Sequence, residues 1–111
     1  MANIEKTIQA AIIRWVIETY SDVIITATAN ERSYRETEQI GSLGIPDLIL
    51  IHPRRGLFLL ELKRKKGKLQ PSQIEWNTNF DLITFDYPCQ RAVAYGYTEA
   101  QGVIMDWLLH Y

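Results

Sequence analysis

Three residues between Gly44 and Lys68 are out of keeping with their neighbours: Asp47 opens the apolar run DLILIH, and Glu61 and Lys63 punctuate the apolar run LFLLELK. Side chains alternate across a strand, so Glu61 and Lys63 share one face with Leu57 and Leu59, leaving Phe58, Leu60 and Leu62 on the other. The two runs are separated by PRRG, whose proline and glycine mark a turn between adjacent strands. If the hairpin closes with His52 facing Gly56, Asp47 falls opposite Glu61; a slip of one residue breaks that alignment. Two carboxylates about 4 Å apart repel by about 4 kcal/mol at an effective dielectric near 20. That is large beside a domain's stability of roughly 5–15 kcal/mol. A hard divalent cation, held by carboxylates, a main-chain carbonyl and water, offsets the repulsion. Lys63, one strand step away, could then orient or deprotonate a water. Oxygen ligands for magnesium or manganese beside an ammonium group are the equipment of phosphodiester hydrolysis.

Each residue taken singly has a plainer use: Asp47 as a turn residue, Glu61 as a solvated strand position, Lys63 as the head of the basic run KRKKGK. Their joint spacing favours a shared site. Seven of the twelve Lys and Arg lie between Gly44 and Lys68. The exit of that hairpin, Arg64, Lys65, Lys66 and Lys68, either protects a strand end or contacts phosphates, and the second use makes binding steeply salt-dependent with little base preference.

Elements that would position these residues follow from local pattern. Ile4, Ile8, Ala11, Ile12, Trp15 and Val16 recur at helical spacing behind Asn3 as N-cap, which predicts a helix over 3–20. DVIITATA, β-branched and bounded by polar residues, reads as a strand. The polar stretch NERSYRETEQIGSLG reads as a loop, with capping-box spacing at Ser33 and Glu36. After the hairpin, Pro71 opens a helix running through SQIEWNTNFDLI, QRAVAY reads as a strand, and Thr98 with Gln101 has capping-box spacing ahead of a last amphipathic helix. Trp15, Trp76 and Trp107 are expected to fill core, and His52 and His110 to be structural.

At 111 residues the chain suits a single domain, 1–111. A formal charge of -1 neither favours nor excludes a polyanionic partner; the clustering of bases permits one. Cys89 is the only cysteine, which excludes an internal disulfide and a cysteine-based zinc cage. With no apolar stretch near the roughly 20 residues a spanning helix needs, no membrane association is expected, and a cytoplasmic setting, bacterial or in a virus-infected host cell, fits.

The ordered set GIPDLIL…GLFLLELKRKKGKLQPSQIEW resembles the core of the PD-(D/E)XK nuclease superfamily and, more narrowly, the VRR-NUC family, in its stand-alone phage or bacterial type. Pro46-Asp47 and Glu61-Leu62-Lys63 match the superfamily motif. The narrower match adds the lead-in from Gly44, the stretch Gly67-Lys68-Leu69, Pro71-Ser72-Gln73 with Trp76 following, and Glu5 and Gln9 in the first helix. The resemblance runs over essentially the whole chain. It implies an α/β (mixed α+β) fold of restriction-endonuclease type, with a central mixed β-sheet flanked by helices in the order α-β-β-β-α-β-α. It further implies a magnesium- or manganese-dependent endonuclease in which Asp47, Glu61 and the carbonyl of Leu62 hold the metal and Lys63 is the catalytic lysine. Glu5 and Gln73 would be accessory catalytic residues, Glu5 being a further candidate ligand; the plain alternatives are a dipole-complementing acid for Glu5 and a first-turn polar residue for Gln73.

The loop TANERSYRETEQIGSLG departs from the family pattern, lacking the paired glycines that many relatives carry before an arginine, and offers Arg32 and Arg35 as candidate DNA contacts. Small stand-alone relatives resemble junction-resolving enzymes that act as symmetric homodimers, so the resemblance implies branched DNA as partner and a Holliday-junction resolvase-like activity. Two other readings stay open: a non-catalytic DNA-junction-binding module, and a nuclease acting on flaps, plain duplex or RNA.

Overall fold

The computed structural model describes residues 4–28 and 44–109. Its elements are α1 (Ile4–Thr19), β1 (Ile24–Ala27), β2 (Leu48–His52), β3 (Gly56–Lys63), α2 (Pro71–Asp81), β4 (Cys89–Tyr95) and α3 (Tyr97–Leu109), in the expected order. Asn3, His110 and the whole of the Ser33–Glu36 capping box, with Arg32 and Arg35, lie outside the described residues.

Hairpin pairing sets the register. His52 lies opposite Gly56 and the antiparallel ladder continues to Leu48 opposite Leu60, the alignment expected from the turn. Gly56 has φ +77°, and a Cβ there would stand 2.3 Å from the carbonyl oxygen of Pro88, so both the turn and the approach of the chain entering β4 require glycine. His52 stabilises the same turn: its Nδ1 accepts the backbone N–H groups of Arg54 and Arg55, and Nε2 faces Asp22 at 2.9 Å. The structural role expected of this histidine is the one observed.

The four strands form one sheet in the order β1-β2-β3-β4, antiparallel except for the parallel pair β3–β4. A parallel pair needs a crossover connection, and α2 lies within it. Leu48, Leu50, Phe58, Leu60, Leu62 and Ala94 point to one face, where they meet Ile12 and Val16 of α1 and Ala100, Ile104 and Trp107 of α3. Those helical residues recur at i, i+4 and i, i+4, i+7, the spacing that lays a helix on a sheet. Trp107 stacks on Phe58 with ring centroids 5.1 Å apart. The opposite face carries Ile49, Glu61, Lys63, Arg91, Val93 and Tyr95, by strand alternation and register.

Three sequence expectations are corrected. Trp76 is half-buried on α2, stacked on Phe80 at 5.3 Å and outside the core, because α2 presents amides to the sheet instead of its apolar residues. Thr98 does not cap α3. The helix begins at Tyr97, Glu99 accepts the backbone N–H of Tyr95 at 3.2 Å, and Gln101 reaches the Tyr97 hydroxyl. An acid in the first turn thus ties the end of β4 to the helix start and suits the positive end of the helix dipole. The second helix also stops at Asp81, two residues short of the expected Ile83.

Candidate active site

The β2–β3 ladder ends at Leu48, so Asp47 sits one residue before β2, where its carboxylate replaces a backbone acceptor. Asp47 Oδ2 accepts the N–H of Leu62 at 2.9 Å, which holds the side chain against β3. Gly44 fixes the approach to it. With φ +87°, Gly44 runs so close to the first turn of α2 that a Cβ would stand 2.3 Å from the Ser72 carbonyl oxygen.

Glu61 is 3% exposed and Lys63 is 6% exposed, so a charged pair is held in the sheet where water cannot solvate it fully. Lys63 Nζ is 3.9 Å from Glu61 Oε2. Gln73 reaches the same oxygen, donating from Nε2 at 2.7 Å, while its Oε1 accepts the Gln70 N–H at 2.7 Å and so fastens the side chain to the start of its own helix. Glu61 Oε1 is buried and, among the described residues, has no hydrogen-bond donor.

Burial raises the Asp47 carboxyl above its ordinary range, against the opposing pull of the Leu62 N–H, a hydrogen bond with Glu61 and the charge of Lys63. The Glu61 carboxyl is pushed up to about 8, first by burial, then by the negative charge of Asp47 and the hydrogen bond between the two, with Lys63 opposing. Two acids this close titrate as a pair. They demand a proton or a cation between them.

Glu5 adds to this crowding. Its charge raises both other acids, and its Oε2 lies 3.4 Å from the Arg64 N–H, at the foot of the turn that carries the basic run. The structure therefore brings Glu5, Asp47, Glu61, Lys63 and Gln73 to one place, from three elements and the segment preceding β2. Arg64, Lys65, Lys66 and Lys68 are all exposed beside it. Among the described residues no three His, Cys, Asp or Glu side chains are disposed as a metal cage. An ion here would have to complete its shell with a main-chain carbonyl, such as that of Leu62, and water.

The orphaned buried oxygen of Glu61 and the mutual elevation of the two acids are what a divalent cation would relieve, so the residues present fit such an ion. Cys89 stands apart: it is half-buried, and burial pushes its thiol up, away from the thiolate a nucleophile needs.

Residues not anticipated from sequence also line this face. Tyr95 pairs with Lys63 and Val93 with Glu61 across the parallel ladder. Arg91 grips Asp81 through both Nε and Nη2, tying the end of α2 to β4. The spacing of Gln73, Asn77 and Asp81 at i, i+4 and i+8 was the available signal for a helix that lays a polar row on the sheet.

No family model and no curated protein sequence matches the chain. A solved structure described as a VRR_NUC domain superposes with a TM-score of 0.63 at 22% identity, over 99% of this chain and 100% of that one. With the mixed four-stranded sheet and its flanking helices already in place, this likeness establishes that the chain has the VRR-NUC, restriction-endonuclease-like fold.

Proposed function

We propose that the protein is a metal-dependent, structure-specific DNA endonuclease, resembling Holliday-junction resolvases and acting as a homodimer. The observation that carries this reading is the crowding of Asp47 and Glu61, from adjacent parts of the sheet, with Lys63 3.9 Å from Glu61. The fold is one that the described VRR_NUC domain also has. The bases at Arg64, Lys65, Lys66 and Lys68 flank the acids and suit a phosphate backbone. A two-fold pair of such sites would face opposite strands of a branched duplex.

Asp47, Glu61 and the Leu62 carbonyl would hold magnesium or manganese, which when bound supplies Lewis acidity at the phosphate and lowers the pKa of a coordinated water. The chain's own residues do the rest. Leu62 N–H fixes Asp47, and Gln73 fixes Glu61, so neither ligand must be ordered when substrate arrives. Lys63 places positive charge beside the phosphate and orients the attacking water. Water oxygen bonds to phosphorus as the bond to the 3′-oxygen breaks, the water's proton passes to solvent or a neighbouring base, and the 3′-oxygen takes a proton. The products are 5′-phosphate and 3′-hydroxyl ends.

The test is cleavage of end-labelled four-way junctions, flaps, plain duplexes and structured RNA with magnesium or manganese, comparing wild type with Lys63→Ala and Asp47→Ala. Metal-dependent junction cleavage that disappears in both variants supports the reading. Salt-sensitive junction binding without cleavage in any divalent metal makes the protein a binding module instead, and a preference for flaps, duplex or RNA reassigns the substrate.

A further inference from the structure

Four aromatic rings follow one another from α2 into the chain that leads to β4. Trp76 and Phe80, at i+3 and i+7 from Gln73, share the helix side next to that glutamine, and their rings stack at 5.3 Å with 20° between the planes. The series continues past the helix end: Phe80 meets Phe85 at 5.3 Å, and Phe85 meets Tyr87 at 6.2 Å. Trp76, Phe80 and Phe85 are half-buried, and Tyr87 is 64% exposed. None of the four belongs to the core that packs α1 and α3 on the sheet. Leu82 and Ile83, between Phe80 and Phe85 in the chain, are exposed as well.

Rings left partly open to water stabilise the fold less than buried ones, so their use is sought in what covers them. The series begins at the acid site, because Gln73 donates to Glu61 Oε2 and Trp76 is the neighbour of Gln73 one turn on. The chain that joins β3 to this helix carries the exposed cations Arg64, Lys65, Lys66 and Lys68. A strand whose phosphate lies at the acids thus meets positive charge and aromatic faces together, the two components of a surface for unpaired nucleic acid. Gln73 and Phe80 stand about 10 Å apart along the helix axis, the length of about three stacked nucleotides. Bases within a duplex already stack on their neighbours, whereas those opened at a branch have faces to offer.

We propose that Trp76, Phe80, Phe85 and Tyr87 form a stacking surface for bases that are unpaired at the branch point of the DNA, beside the phosphate that is cut. The inference rests on the endonuclease reading and supplies its selectivity: branched DNA is preferred to plain duplex because only branched DNA lays bases on the rings.

The test is the affinity, by fluorescence anisotropy in calcium, of the full chain for a labelled four-way junction with three unpaired nucleotides at its branch point. The junction is used intact or with those three made abasic, so that the phosphates stay and the bases go. Tyr87→Ala should weaken binding of the intact junction roughly 5–150-fold, the range for one stacked base, with the slope of log affinity against log salt unchanged. It should bind the abasic junction as well as wild type does, and Tyr87→Phe, which keeps the ring, should match wild type on both. Wild-type affinity of Tyr87→Ala for the intact junction, or equal losses on the intact and abasic junctions, overturns the stacking surface and leaves the endonuclease reading intact. A Tyr87→Ala protein whose mass by light scattering falls from dimer to monomer makes the rings a contact between copies and overturns it too. A wild-type protein that binds no DNA overturns both.

Discussion

Asp47 Oδ2 accepts the backbone N–H of Leu62 at 2.9 Å, so a side chain just outside β2 completes the hydrogen bonding of β3. One carboxylate thus serves the fold through one oxygen and is available for chemistry through its charge. These uses separate by mutation. Asn at 47 keeps an acceptor oxygen and removes the charge that pushes Glu61 up; Ala removes both.

Asp47→Asn should therefore fold with at least wild-type stability in chelator yet lose metal-dependent cleavage by orders of magnitude. Asp47→Ala should be less stable than Asp47→Asn by about 1–2 kcal/mol, the cost of an unpaired N–H in a partly buried place. Urea denaturation of the two variants in EDTA decides this. Equal stabilities would mean that the Leu62 bond contributes nothing.

The acid pair makes metal-free stability pH-dependent, with a sign opposite to that of ordinary salt-bridged carboxylates. Glu61 titrates near 8 in the folded protein against an ordinary 4.5, so between these values the folded state holds a proton that the unfolded chain has released. Its contribution is complete below about 4.5 and is lost as pH rises through about 8. Asp47, also raised, acts in the same direction. Asp22, lowered by its bond to His52, acts oppositely, but below its ordinary 3.8 and hence outside this window. Stability in EDTA should fall between about pH 5 and about pH 8.5 by on the order of 3 kcal/mol, less than the bare shift implies because water reaches part of the site. Saturating magnesium or manganese should flatten or reverse the slope. A metal-free protein whose stability is level or rises across this range would contradict the crowding of the two acids.

Much of this arrangement was legible in the sequence, for identifiable reasons. The PRRG turn, closed by His52 opposite Gly56, fixes the β2–β3 register, and strand alternation then puts Glu61 and Lys63 on one face whatever the rest of the chain does. Helices α1 and α3 announce themselves because their apolar residues pack on the core. Helix α2 was harder: its start at Pro71 was readable, but which side faces the sheet was not, since its exposed apolar residues suggested the wrong one. Trp76 looks like core by composition, and only the contacts of Gln73 and Asp81 turn the polar row inward. Glu5 is likewise ordinary in its own helix. Its approach to Arg64 is tertiary and left no local trace.

Lys63 offers a test of charge against geometry. It is 6% exposed, with Nζ 3.9 Å from Glu61 Oε2, so removing it deprives a buried acid of the cation that faces it. Lys63→Met, which keeps the length and loses the charge, should abolish cleavage while leaving junction binding within a few-fold of wild type. It should also raise the Glu61 carboxyl further, because the Lys63 charge now pulls it down. Lys63→Arg keeps a charge, but a planar guanidinium is no substitute for a compact ammonium at a packed strand position. Its rate should fall well below wild type. Single-turnover cleavage at saturating protein measures both, and full activity in Lys63→Arg would show that charge alone suffices.

The basic run makes a different kind of prediction, because under the proposed function its residues would act through phosphate charge instead of packing. Lys65 and Lys66 occupy the turn after β3, and among the described residues neither side chain has a hydrogen-bonded or ion-paired partner. If each neutralises one phosphate, the double change to serine should reduce the slope of log affinity against log salt by about 2, near 0.9 for each phosphate no longer neutralised. The weakening should be equal for junctions of different sequence, since phosphate contacts carry no base information. Unfolding temperature should hardly change, because surface lysines contribute little to stability. Titration of a labelled junction in calcium, at several potassium chloride concentrations, gives the slope without cleavage. A double variant with the wild-type slope would remove these lysines from the DNA interface and leave the acids of the sheet to find their substrate by other contacts.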